Sequence, residues 1–100
     1  MTAPDPGRAA WTVERDLAIV NEKGLHARAS ARFVEVVEAH DAEAEVSFDG
    51  QTVPADSIMG LLTLGAARGA TIHLRARGPA AETLVQALDR LVAGRFGEPF

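Results

Sequence analysis

Cysteine is absent from this 100-residue sequence. That removes disulfides and thiolate metal sites from any account of what holds the fold together, and leaves the redox compartment undeclared. Aromatic residues are few, five in all, and basic residues do not prevail: ten Lys and Arg against fourteen Asp and Glu give a formal net charge of -4. A nucleic-acid binder would carry a basic face with stacking aromatics, so that class is excluded. No apolar run approaches the roughly 20 residues that span a bilayer, and membrane insertion is not expected. Residues 1–10, with two prolines, an aspartate and a glycine, lack the apolar stretch of a secretory signal, so the expected compartment is the cytoplasm. The three histidines, His26, His40 and His73, are far apart and fall on different predicted elements, so neither a metal site nor a cofactor is expected.

What is present is enough for one domain with a core, at 47% hydrophobic content. Thr12-Val13 and Leu17-Ala18-Ile19-Val20 read as a first strand with Val13, Leu17 and Ile19 on one face, ending at Asn21. Residues 27–40 read as an amphipathic helix with Ala29, Ser30, Phe33, Val37 and His40 along one stripe. Ala44, Val46 and Phe48 alternate with polar residues, and Asp49-Gly50 is a hairpin signal into Gln51-Thr52-Val53, which Pro54 confines to a sheet edge. Asp56 or Ser57 can cap a short helix over 57–64 that Gly65 ends. Residues 70–77 form a fourth strand with Ile72, Leu74 and Ala76 on one face and His73 on the exposed one. Pro79 is expected at the first position of a last helix, whose core stripe is Ala80, Leu84, Ala87, Leu88 and Leu91.

The order is β-α-β-β-α-β-α, an α+β chain. An antiparallel four-stranded sheet with three helices on one face buries every apolar stripe. Residues 1–10 are expected to be a disordered extension, 11–93 the domain, and 94–100 a poorly ordered C-terminal tail. Trp11, Phe96 and Phe100 are the terminal residues apolar enough to dock back.

Chemistry concentrates in Asn21-Glu22-Lys23-Gly24-Leu25-His26-Ala27-Arg28. Gly24 permits backbone angles that a side chain forbids, and His26 stands where the turn meets the helix, whose first N–H groups are free to bind an anion. Arg28 adds a guanidinium fork for the same oxyanions. His26 is either a phosphorylatable nucleophile or a plain helix cap. A standalone hydrolase is excluded, because no acid or serine lies near His26 in the motif.

Gly24-Leu25-His26-Ala27-Arg28, with Ser57-Ile58-Met59-Gly60-Leu61-Leu62-Thr63-Leu64-Gly65 further on, resembles the HPr family of histidine-containing phosphocarriers over residues 11–92. One departure is Ala29, where the family usually has proline. The resemblance implies an open-faced β-sandwich, and a carrier that is an intermediate in phosphotransfer rather than an enzyme. In it His26 takes phosphate on Nδ1 from phosphorylated enzyme I and passes it to an enzyme IIA protein or domain, the N–H groups of Ala27 and Arg28 steady the phosphoryl oxygens, and the Arg28 side chain neutralises charge. Ser57 is the matching regulatory serine, a target of an HPr kinase/phosphorylase. Ile58, Met59 and Leu62 form the partner surface on a short helix that cannot bury all its apolar residues, and the protein is expected to be a monomer. The alternative is a regulatory or protein-binding module of the same fold that carries no phosphate.

Overall fold

The computed structural model describes residues 10–100. All but the last residue of the expected 1–10 extension thus lies outside the described residues.

The elements follow the expected order: β1 (Val13–Ala18), α1 (Ala27–Glu38), β2 (Glu43–Phe48), β3 (Gln51–Pro54), α2 (Ile58–Leu64), β4 (Thr71–Arg77) and α3 (Ala81–Ala93), followed by a single tight turn, Arg95–Gly97. The sheet is antiparallel with strand order β1-β4-β2-β3. Central β4 explains its own sequence: Ile72, Leu74 and Ala76 are fully buried beneath the helices, while His73, Arg75 and Arg77 alternate onto the open face. Pro54 sits on edge strand β3, where a missing N–H costs no ladder bond. Asp49 and Gly50, with φ of 51° and 79°, supply the two left-handed residues that a two-residue hairpin of this type requires.

Leu17, Ile19, Phe33, Val46, Leu61, Ile72, Leu74, Leu84 and Leu88 fill the layer between sheet and helices. β1 stops at Ala18, short of the expected Val20. Pairing nonetheless persists, since the Ile19 N–H donates to the Ala70 carbonyl (2.8 Å) and Ile19 accepts from Gly69 (2.8 Å).

Three local readings are corrected. Helix α1 ends at Glu38 with Ala39 as its C-cap, so His40 lies beyond it, its ring Nδ1 held at 2.8 Å by the Val36 carbonyl. Val34 completes the buried stripe in its place. Helix α3 starts at Ala81, not at Pro79. The Ala80 N–H bonds the Asp41 carbonyl (3.0 Å) and Gly78 packs against Ala42, so the β4–α3 turn is anchored to the α1–β2 loop and the helix begins only after that tie. Leu84 and Leu88 are buried as expected, but the stripe is completed by Ala81, Val85 and Val92 in place of Ala80, Ala87 and Leu91.

The third correction concerns the tail. Residues 94–100 are folded onto the body, with Phe96 buried to 1% exposure in a turn that packs on α1 and α3. Arg95 and Phe96 both adopt positive φ, 59° and 56°. For residues with a Cβ this costs about 1–2 kcal/mol each, and burying a phenylalanine offsets it. At the other end Trp11 lies on the open sheet face, stacked under the guanidinium groups of Arg75 (5.0 Å) and Arg77 (4.3 Å), which pair in turn with Glu45 and Glu43.

Candidate functional site

The loop between β1 and α1 is shaped by one close approach. Gly24 has φ +63°, and a Cβ there would stand 2.7 Å from the Ala66 carbonyl oxygen and 2.8 Å from the Ala67 Cα. Both neighbours are backbone, so the two loops meet main chain to main chain, and the Leu25 N–H donates to Ala66 O at 2.9 Å. Leu25 is buried, and the next residue, His26, emerges at the N-cap of α1 in an extended conformation.

A polar side chain at an N-cap usually bonds a first-turn N–H. His26 does not: α1 has no side-chain cap. Its carbonyl accepts the first helical bond, from Ser30 at 2.8 Å, while the N–H groups of Ala27, Arg28 and Ala29 have no side-chain acceptor among the described residues. Ala29 is the third helical residue, where an N–H has no partner within the helix. Alanine in the place of the family's usual proline therefore breaks no helical bond and leaves one more donor in the turn. The acid-free first turn adds to the anion-attracting end of the helix. Arg28 is exposed and, among the described residues, forms no ion pair. It lines a hollow of about 150 Å³ with His26, Glu22, Lys23, Glu98 and Phe100. A larger hollow, about 380 Å³, shares no residue with it and lies around Trp11, Glu45 and Arg77.

The His26 ring turns to the C-terminal tail. Its Nε2 lies 2.6 Å from Glu98 Oε2, and the pair is well covered, with side-chain exposures of 28% and 13%. Nδ1 makes no hydrogen bond among the described residues. Glu98 is steadied by Asn21, a fully buried residue whose Nδ2 donates both to the Gly24 carbonyl (2.8 Å) and to Glu98 Oε1 (3.1 Å). Two acceptors on one side fix the amide orientation and leave Asn21 Oδ1 buried, with no hydrogen-bond partner among the described residues. Burial pushes the Glu98 carboxyl upward. The hydrogen bonds from His26 and Asn21, with the charges of His26 and Lys23, outweigh it and hold the group below the usual carboxylate range. Glu98 is an acceptor near neutral pH, so the proton of the short bond resides on His26 Nε2.

The expectation that His26 lacks an acidic partner is thereby overturned, since Glu98 comes from 72 residues downstream. Nothing in the motif signalled it; the only trace in the sequence was a pair of apolar residues in the tail, Phe96 and Phe100, able to bring Glu98 back to the body.

Ser57 caps α2, its Oγ accepting from the Gly60 N–H at 3.0 Å, and Gly65 closes the helix in the left-handed conformation. The contact between Leu25 and Ala66 joins the His26 loop to the far end of α2. Ser57 therefore stands a helix length away along the axis, about 10 Å at 1.5 Å per residue, not beside the loop junction. Leu61 and Leu64 are buried, Leu62 is half-buried, and Ile58 (40%) and Met59 (69%) are exposed. His73, on the open face, is bracketed by carboxylates, Asp16 at Nδ1 (2.8 Å) and Glu14 at Nε2 (2.7 Å), which raise its pKa, the Asp16 bond most.

An open-faced β-sandwich with an uncapped histidine at the start of its first helix is the build of a small histidine phosphocarrier. Residues 13–94 match the family described as the PTS HPr component phosphorylation site. The phosphocarrier protein HPr of Cupriavidus necator is 41% identical over 86 residues, spanning 86% of this chain and 97% of that protein. The HPr of Xylella fastidiosa is 38% identical with the same coverage. The crystal structure of HPr-C-His from Thermoanaerobacter tengcongensis superposes with a TM-score of 0.85 at 36% identity, covering 89% of this chain and all of that one. The chain belongs to the HPr family of the phosphotransferase system. No helix among the described residues is long and apolar enough to cross a membrane.

Proposed function

We propose that this protein is a cytoplasmic, monomeric phosphocarrier that accepts a phosphoryl group on His26 Nδ1 from phosphorylated enzyme I and passes it to enzyme IIA proteins or domains. The observation that carries the reading is His26 at the N-cap of α1, its Nε2 on Glu98 and its Nδ1 without a hydrogen bond among the described residues, two positions before an exposed Arg28 with no ion pair among them. The lone pair on Nδ1 attacks phosphorus, the bond to the donor breaks with its electron pair leaving on the donor, and the ring takes up positive charge while keeping its Nε2 proton. The N–H groups of Ala27 and Arg28 and the Arg28 guanidinium face the phosphoryl oxygens. No proton has to be lost, so the same step runs backwards to an acceptor of similar energy, which suits an intermediate in a relay rather than an enzyme.

Exposed Ile58 and Met59, with Leu62 beside them, form the docking surface; adaptable methionine suits a carrier that meets unlike partners. Ser57 is a site for regulatory phosphorylation by an HPr kinase/phosphorylase. A dianion there would meet the favourable end of α2, so its effect falls on docking rather than on folding.

Incubation with enzyme I, radiolabelled phosphoenolpyruvate and magnesium tests the reading. The label should be acid-labile and base-stable, lost in His26→Ala and kept in His40→Ala and His73→Ala. Protein that takes no label would be a regulatory or protein-binding module instead, and label that survives the His26 change would place the acceptor elsewhere.

A further inference from the structure

We infer that Glu98, held by Asn21 and aimed by the turn that buries Phe96, is the positioning residue of the acceptor histidine: it keeps the proton on Nε2 and the lone pair on Nδ1. The inference rests on the proposed phosphocarrier function and adds to it the means by which the fold selects the attacking nitrogen.

The arrangement is built, not incidental. Two residues with side chains, Arg95 and Phe96, occupy the left-handed region; the burial of Phe96 offsets that strain, and the Gly97 and Glu98 N–H groups close the turn on the Gly94 (3.1 Å) and Arg95 (2.9 Å) carbonyls. The turn sends the chain back toward the β1–α1 loop, where the Glu22 N–H ties the Phe100 carbonyl at 3.0 Å. Glu98 lies between these two anchors. Its two oxygens are separately engaged, Oε1 by buried Asn21 and Oε2 by His26. Asn21 also holds the Gly24 carbonyl, so one amide fixes the acceptor loop and the carboxylate together.

Carboxylate, imidazole and a free second nitrogen reproduce the logic by which an acid orients a catalytic histidine. The acid holds the tautomer and stabilises positive charge on the ring without taking the proton. During transfer the P–N bond forms at Nδ1, the donor's bond to phosphorus breaks onto the donor, and the ring becomes a phosphoimidazolium. Its Nε2–H stays bonded to Glu98, whose charge is stationary and already in place. The phosphoryl group forms on the opposite ring nitrogen, away from the carboxylate.

The test uses the full chain with Glu98→Ala and Glu98→Gln, both of which leave Phe96 in place. In ring-nitrogen-edited proton spectra of the unphosphorylated protein, the wild type should show a low-field, slowly exchanging His26 Nε2–H resonance that vanishes in Glu98→Ala. With enzyme I, kcat of Glu98→Ala should fall by about tenfold or more, since losing the acid that holds a catalytic histidine's tautomer costs at least this much in a hydrolytic triad, with KM little changed. Glu98→Gln, which can still accept the Nε2–H but lacks charge, should fall between. A resonance that persists in Glu98→Ala, or a kcat equal to wild type, overturns the inference. If the wild type takes no phosphate, the phosphocarrier reading fails on its own, and the proton spectra still decide whether Glu98 holds the ring.

Discussion

Replacing Gly24 with alanine isolates the contact that sets the acceptor loop. Two costs add. An L-residue at φ +63° is about 1–2 kcal/mol less favourable than glycine. The new methyl would also stand 2.7 Å and 2.8 Å from main-chain atoms of Ala66 and Ala67, and these cannot swing aside without lengthening the Leu25–Ala66 hydrogen bond. Overpacking of this kind costs about 1–3 kcal/mol. The total, about 2–5 kcal/mol, is a large part of the ~5–15 kcal/mol available to a domain. Gly65 supplies the control: its φ is +66°, and a Cβ there meets nothing within 4 Å, so Gly65→Ala carries only the conformational cost of about 1–2 kcal/mol. Urea unfolding followed by circular dichroism should show a midpoint for Gly24→Ala well below that of Gly65→Ala at unchanged slope. In heating experiments the drop for Gly24→Ala should be on the order of 10 °C or more. Equal losses in the two variants would show that the Ala66–Ala67 backbone yields freely and that the close approach does not shape the loop.

Other substitutions probe separate parts of the molecule. Arg28→Lys should slow phosphotransfer from enzyme I and Arg28→Ala should slow it further, with stability changed by no more than about 0.5 kcal/mol because the side chain is exposed; equal rates in all three proteins would leave the backbone donors sufficient. Ser57→Ala removes the cap on α2 and should cost about 1 kcal/mol in urea unfolding. His73 has its pKa raised in the folded state by Asp16 and Glu14, so the stability it contributes is fully present below the unfolded value near 6.5 and fades as pH climbs through the higher folded value. Stability measured upward from about pH 6.5 should therefore decline, and Asp16→Asn combined with Glu14→Gln should flatten that decline. Met59→Glu, at the most exposed apolar position of α2, should raise the apparent KM with enzyme I and weaken enzyme IIA binding together, with the fold unchanged.

Much of the architecture was legible because it is written in short-range patterns. The alternation in 71–77, the Asp49-Gly50 turn, the Ser57 cap and the Gly65 stop each state their element within a few residues, and β4 carries its buried face as Ile72, Leu74 and Ala76 whatever its neighbours are. The candidate acceptor was legible for the same reason, since glycine, histidine and arginine fall within five consecutive positions. Helix edges were less so. The start of α3 depends on a bond between Ala80 and Asp41, 39 positions apart, so Pro79 could mark the region but not the first turn.

The sequence by itself determined the order of elements, the sheet's buried face and the position of His26 at a helix start, because each rests on propensity, periodicity or the absence of a Cβ. Only the tertiary structure decided which way the imidazole turns. That depends on Phe96 finding the core, on Arg95 and Phe96 holding a strained turn, and on Glu98 arriving at Nε2 from the opposite end of the chain. A contact across 72 residues leaves no period in the sequence, and the burial that enforces it exists only once α1 and α3 have packed.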